Sequence, residues 1–233
     1  LEDISKQTKT VSHVWVVQNE NHIEIDDYIE EWKLHNAINI DLVNFGSNSK
    51  YHGRFHVAYV MSTAEYVSVW DDDIRVGEKW LEYCIEHSKA HSDALIGAEG
   101  RLLQSIFENK KYARQGKYLI GSYQHDFVGH TWTLKRELLR FFFAQQQFTY
   151  ATGEDSQLSF ALQRNGFMSW VPQHHSSDGR YVNDTSFSQD SHSGWKTLRM
   201  QLIRQWLFCK LVQEGFSTLR CENCDAHTAQ SCL

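Results

Sequence analysis

Within its first 70 residues the chain alternates three short apolar runs with two segments of helical spacing, and this alternation restricts the fold more than any other feature. Residues 11–17 (VSHVWVV), 38–44 (INIDLVN) and 66–70 (YVSVW) have the length and β-branched content of strands. Between them, residues 25–35 (IDDYIEEWKLH) gather apolar side chains on one helical face and carry acids in the first turn. Residues 53–63 (GRFHVAYVMST) read as a second helix. Strand, helix, strand, helix, strand in that order predicts an α/β sheet with right-handed crossovers. The expected architecture is a single Rossmann-like domain: a central mixed, mostly parallel sheet flanked by helices. Such sheets bind ligands beyond the carboxyl ends of their strands. The third run passes straight into Asp71-Asp72-Asp73 at such an end.

The pattern continues downstream. Residues 78–88 (EKWLEYCIEHS) are strongly amphipathic, and residues 94–97 (ALIG) suit a short strand. Residues 101–116 have no clear period. Residues 126–134 (DFVGHTWTL) read as one strand, 136–143 and 155–164 as helices, and 167–171 (FMSWV) as a strand. A long polar loop is expected over 174–194, then a long helix over 195–213. One proline, Pro172, leaves few linkers, so residues 1–215 are expected to form one domain, followed by a cysteine-containing tail over 216–233. Cys84 and Cys209 lie in amphipathic stretches and are expected to be buried thiols. Cys221, Cys224 and Cys232, with His227, fit a four-ligand zinc pattern only when forced, and a frayed tail with free thiols is the plainer expectation.

Composition removes several function classes. A net charge of −6 without a basic block argues against a nucleic-acid partner, whose phosphates recruit Lys/Arg patches. No apolar stretch reaches the length of a membrane span. The chain starts at Leu1 with no secretory signal and reads as a domain of a longer polypeptide, compatible with the cytoplasm or with the lumenal part of a Golgi-type enzyme. The Gly-x-Gly-x-x-Gly, Walker and Gly-x-Ser-x-Gly patterns are all missing, which removes dinucleotide, P-loop and serine-hydrolase readings. Asn183-Asp184-Thr185 is a formal glycosylation sequon.

Two acidic constellations carry the chemistry. Three adjacent carboxylates repel one another, and a bound cation relieves that repulsion. In an extended segment residues i and i+2 share a side, so Asp71 and Asp73 can converge on one hard ion such as Mn2+ or Mg2+ while Asp72 points away. An aspartate run before a helix can also be a plain cap. The second constellation is Gly153-Glu154-Asp155, at the start of a helix. Its carboxylates are favoured there by the helix dipole, and either could serve as a general base.

The ordered set YVSVWDDDIRVGEKWL, ALIGAEGRL, DFVGHTW, GEDSQLSFALQRNG and WVPQHHSSD resembles the GT-A nucleotide-sugar glycosyltransferases, broadly the exostosin-like and family-2-like groups. The resemblance spans residues 11–206, and the order and spacing of its motifs are more specific than DDD or GED alone. It implies sugar transfer from a nucleotide-sugar, with a UDP-sugar the expected donor, to a hydroxyl of a glycan acceptor. It implies a DxD metal site at Asp71 and Asp73, with Asp73 the foremost ligand, and a later histidine, His175 or its neighbours His174 and His192, completing it. Donor contacts are implied for Val17, Gln18 and Asn19 in the first strand and loop, for Asn48 and Arg54 before the DxD strand, and for Asp71 and Asp72. Glu154 and Asp155 are implied as the catalytic acidic pair. His130 and Trp132 fall on the acceptor side, where Trp132 could stack on a sugar or serve as core. Gly129 would let backbone approach ligand closely. The 174–194 loop would act as a lid, with Arg180 within reach of the diphosphate.

Two rival readings stay open at this point. One is a nucleotidyl- or phosphoryl-transfer enzyme, which needs a second carboxylate set for a second metal. The other is an inactive glycan-binding module on the same fold.

Overall fold

A computed structural model describes residues 1–20, 24–103, 112–115, 123–173, 182–184 and 197–219. A short helix α1 (Glu2–Ser5) precedes β1 (His13–Asn19), α2 (Asp26–His35), β2 (Asn39–Phe45), α3 (His52–Met61) and β3 (Tyr66–Trp70). The predicted strand–helix alternation is therefore present. It is followed by β4 (Arg75–Val76), α4 (Trp80–Ala90), β5 (Leu95–Ile96), β6 (Glu99–Leu103), β7 (Tyr112–Gln115), β8 (Tyr123–His125), β9 (Phe127–Gly129) and β10 (Thr131–Lys135). The chain closes with α5 (Leu139–Ala144), α6 (Glu154–Gln163), β11 (Ser169–Val171), β12 (Val182–Asp184) and α7 (Leu198–Gln213).

Strands β1 and β2 pair in parallel over their full length, from His13↔Asn39 to Asn19↔Phe45. Helix α2 makes that crossover because its apolar stripe buries Ile29 and Trp32 against Val14 and Ile40. The larger sheet has the order β3-β10-β5-β11-β8. Strands β3, β5 and β11 run in one direction, and β10 and β8 in the other. The sheet is mixed, as expected. Its ladders are more antiparallel than a doubly wound sheet would give, because β10 inserts between β3 and β5.

That insertion follows from a break. The segment 126–134 reads as one strand, yet the structure divides it at His130, whose φ of 65° lies in the left-handed region. Strand β9 pairs with β6, and β10 crosses to β3 and β5. Residues 101–116, which have no readable period, supply the end of β6 and all of β7, an antiparallel pair with Arg101 opposite Arg114.

The main core joins Phe55 of α3, Val67 and Val69 of β3, Trp132 and Leu134 of β10, Phe142 of α5 and Leu158 of α6. Trp132 is only 2% exposed, and its indole N–H donates to the Val128 carbonyl at 2.9 Å. Helix α6 is buried from Glu154 to Leu162, so its polar first turn lies inside the protein instead of facing water. Helix α7 covers it with Leu207, Phe208 and Leu211. Phe216 also belongs to this core and meets Phe160 edge-on, and the Leu219 N–H donates to Asp126 at 2.8 Å, so ordered contacts run past residue 215. Cys84 and Cys209 are buried, as expected. No helix among the described residues is long and apolar enough to cross a membrane.

Candidate active site and metal centre

The site forms where the end of β3 meets the β9–β10 break. The Asp71 N–H donates to the His130 carbonyl at 3.0 Å, which fixes the first aspartate against the break. Left-handed backbone at a non-glycine residue costs roughly 1–3 kcal/mol and concentrates at functional positions. At His130 it turns the ring back toward the aspartates. One ligand atom each from Asp71, Asp73 and His130 lie within 4.8 Å of one another. Asp72 is exposed, and Asp72 and Asp73 lie in a turn after β3, so Asp71 and Asp73 converge through that turn and not through the alternation of extended chain expected from the sequence.

This group suits a divalent cation by an independent criterion. Asp73 Oδ1 and His130 Nδ1 are buried and have no hydrogen-bond partner. Buried polar atoms without partners are costly, and an ion held by carboxylate oxygens and an imidazole nitrogen satisfies both. Burial raises the Asp71 pKa, and it outweighs the opposing pull of Arg54 and His130. Burial works against protonated His130, but the Glu99 and Asp71 carboxylates outweigh it and raise the His130 pKa.

Arg54, in the first turn of α3, links the two acidic constellations. One guanidinium nitrogen, Nη1, pairs with Asp71 Oδ1, and Nη2 reaches Glu154 Oε1 at 2.7 Å. The guanidinium also lies 4.3 Å from the centre of the Trp132 ring. Covered by Arg54 and the core, Trp132 has no face open to a sugar. Of the two roles the sequence left open for Trp132, sugar stacking on the acceptor side and core packing, its burial favours the core.

Glu154 and Asp155 open α6 after Gly153, whose φ of 79° is left-handed. A Cβ at Gly153 would stand 2.3 Å from Leu207 Cδ2, so glycine lets α7 close over this turn. Glu154 Oε2 is buried without a hydrogen-bond partner. Burial, followed by the charge of Asp155, raises the Glu154 pKa. Asp155 Oδ1 accepts from the Ser156 N–H at 2.7 Å and the Ser156 hydroxyl at 3.1 Å, which holds it in the first turn. Arg204 of α7 approaches Asp155 Oδ2 at 3.7 Å and donates from Nε to Thr152 at 2.9 Å. Arg204 was not expected in the site, because an arginine in an arginine-rich helix carries no distinguishing local signal.

A cavity of about 1100 Å³ opens beside β1 and β3, and Val17, Asn19, Arg54, Asp71 and Asp72 all line it. Gln18 and Asn48 lie outside its lining. The Asn19 carboxamide is itself occupied with architecture: Oδ1 accepts from the Ser49 N–H at 3.0 Å, and Nδ2 donates to the Lys50 carbonyl at 3.1 Å. It clamps the turn that launches α3 and so places Arg54. Asn48 Oδ1 accepts from the Lys50 N–H at 2.8 Å within the same turn. A Cβ at Gly129 would meet no protein atom within 4 Å, so protein packing does not require glycine there. His174, His175, Arg180, His192 and the cysteines at 221, 224 and 232 lie outside the described residues, as does most of the 174–194 loop. Its described part, β12, pairs antiparallel with β4 just after the aspartates.

Glu99 also belongs to the site and was not anticipated. It starts β6, is 4% exposed, pairs with Arg101 at 2.6 Å, and faces His130 Nε2 at 3.5 Å. A single glutamate in a short strand gives no sequence signal. Only the β6–β9 ladder, with Glu99 opposite Gly129, sets it beside the histidine.

No protein-family model matches this sequence, and no curated protein matches it. Solved structures do. A crystal structure of GalNAc-T7 with UDP, GalNAc and Mn2+ aligns with a TM-score of 0.58 at 10% identity, over 88% of this chain and 44% of that one. The chain thus spans less than half of that neighbour's length. At this identity the likeness concerns architecture: the chain has the GT-A-like α/β fold found in that glycosyltransferase.

Proposed function

We propose that this chain is a metal-dependent glycosyltransferase that moves a sugar from a nucleotide-sugar, a UDP-sugar in the leading case, to a hydroxyl of a glycan acceptor. One observation carries the reading. Asp71, Asp73 and His130 converge within 4.8 Å at the end of β3, and Arg54 connects them to the buried Glu154. The fold neighbour, solved with UDP, GalNAc and Mn2+, supports the choice of donor and ion.

Asp71, Asp73 and His130 would hold Mn2+ or Mg2+, with His130 in the ligand position that the sequence offered to His175. The bound ion supplies charge neutralisation for the leaving diphosphate. Arg54 keeps Asp71 and Glu154 in fixed relation, so the leaving-group side and the acceptor side stay in register. Glu154 is assigned as the acceptor base: one carboxylate oxygen is held by Arg54, and the other is buried without a hydrogen-bond partner, so it is the oxygen left to take the hydroxyl proton. Asp155, held by Ser156 and approached by Arg204, orients the acceptor. Val17, Asn19 and Asp72 line the donor cavity.

A two-metal phosphoryl-transfer enzyme would need a second ligand cluster. The described residues contain one such group, Asp71, Asp73 and His130, which favours the transferase reading. The test is thermal stabilisation by UDP with Mn2+ present. UDP with Mn2+ should raise the melting temperature of the intact protein and leave Asp73→Ala unmoved. Equal shifts in both proteins would refute the assigned metal site.

A further inference from the structure

We propose that Glu99 is the positioning residue of the metal centre: it pins Nε2 of His130 and thereby aims Nδ1 at Asp71 and Asp73. This inference rests on the reading that Asp71, Asp73 and His130 hold a divalent cation. An imidazole has two chemically similar nitrogens, and rotation of the ring exchanges them. Which nitrogen is left to bind an ion is decided by the hydrogen bond the other one makes.

At His130 the two sides of the ring differ. Nε2 lies 3.5 Å from Glu99 Oε2. Nδ1 lies 3.8 Å from Asp71 Oδ2 and is buried without a hydrogen-bond partner. An Nε2–H directed at the carboxylate leaves the lone pair on Nδ1, on the side where the aspartates converge.

Glu99 is itself held at both ends of its reach. Its backbone is fixed opposite Gly129, the residue before His130, and its carboxylate is held by Arg101 at 2.6 Å. The histidine backbone is fixed as well, because its carbonyl accepts from the Asp71 N–H. Ring rotation is therefore the remaining freedom of His130, and Glu99 restrains it. Arg101 balances the glutamate charge, so the residue contributes orientation without adding a net negative charge to the ligand set.

Carboxylates that support a metal-bound histidine typically change metal affinity by about 10–100-fold when lost. The experiment is a calorimetric Mn2+ titration of the wild type, Glu99→Ala, Glu99→Gln, Glu99→Asp and Asp73→Ala, paired with histidine 15N spectra in the presence of Mg2+. Glu99→Ala should weaken Mn2+ binding about 10–100-fold, and the His130 15N shifts should change from a single Nε2–H tautomer to a mixture. Glu99→Gln should stay within a few-fold of wild type, since its amide oxygen still accepts from Nε2–H. Glu99→Asp, whose carboxylate is one methylene short of the ring, serves if the alanine variant does not fold. It should also weaken binding.

Wild-type affinity in Glu99→Ala and Glu99→Asp, with binding abolished in Asp73→Ala, would overturn the positioning role while leaving the metal site intact. An unchanged Nε2–H tautomer in those variants would overturn it too. Failure of the intact protein to bind Mn2+ would remove the metal reading and this inference with it.

Discussion

Arg54 and Glu154 stand 100 residues apart in the chain and are joined by a 2.7 Å ion pair inside the protein. Because the same guanidinium also holds Asp71, one side chain sets the geometry between the carboxylate assigned to the metal and the one assigned to the acceptor. Removing one partner of a largely buried pair leaves the remaining charges uncompensated. Arg54→Ala should therefore lower stability by about 3 kcal/mol in chemical denaturation without metal, and saturating Mn2+ should recover part of the loss by neutralising Asp71. A variant as stable as wild type would show that the two carboxylates do not depend on Arg54.

Burial, with Asp155 nearby, raises the Glu154 pKa from 4.5 to about 7. Below about 4.5 the carboxyl is protonated in the folded and unfolded states alike, and its contribution to stability is fully present. As pH rises through about 7 the folded protein must also give up the proton, and that contribution is lost. Metal-free protein should thus lose stability between these limits, and Glu154→Gln should flatten that part of the profile. Transfer should move the opposite way, because a base must be unprotonated. The rate should rise through about pH 7, and Glu154→Gln should abolish most of it. A transfer rate falling over the same range would contradict the assignment.

Gly153 couples the start of α6 to α7. Alanine there meets both an unfavourable φ and Leu207 Cδ2 at 2.3 Å. Gly153→Ala should cost about 2 kcal/mol or more by strain and overpacking. Activity should fall as well, because Glu154 is the next residue. Adding Leu207→Ala should restore part of the activity by opening space, and a purely additive double mutant would show that the Leu207 contact is irrelevant.

Trp132 separates packing from recognition. Trp132→Ala should cost about 3–5 kcal/mol, as for other large core truncations. Trp132→Phe keeps most of the volume and loses the hydrogen bond to Val128 and the larger ring beneath Arg54. It should therefore reduce stability while leaving the KM for acceptor near the wild-type value. A large rise in acceptor KM in Trp132→Phe would return the indole to the acceptor site.

The βαβαβ start and the address of Asp71-Asp72-Asp73 were legible because both rest on local periods: apolar runs of strand length and an acidic cluster where one of them ends. Glu154 and Asp155 were legible because a glycine followed by acids marks a helix start. The remainder of the site depends on chain crossings that leave little local trace. DFVGHTWTL alternates like one strand, and nothing in it announces that His130 adopts φ 65° and sends β10 to a different neighbour. That turn moves His130 beside the aspartates, while Trp132 faces the core. Glu99 reaches the histidine only through the β6–β9 ladder, and Arg204 reaches Asp155 only because α7 folds over α6.

The central claim is tested most directly by following UDP release from a panel of UDP-sugars incubated with the protein and a mixture of glycan acceptors, with and without Mn2+, beside Asp73→Ala. The account predicts release from at least one donor that requires the divalent ion, stops on chelation, and is missing in Asp73→Ala. Release that survives chelation, or that is undiminished in Asp73→Ala, would contradict it.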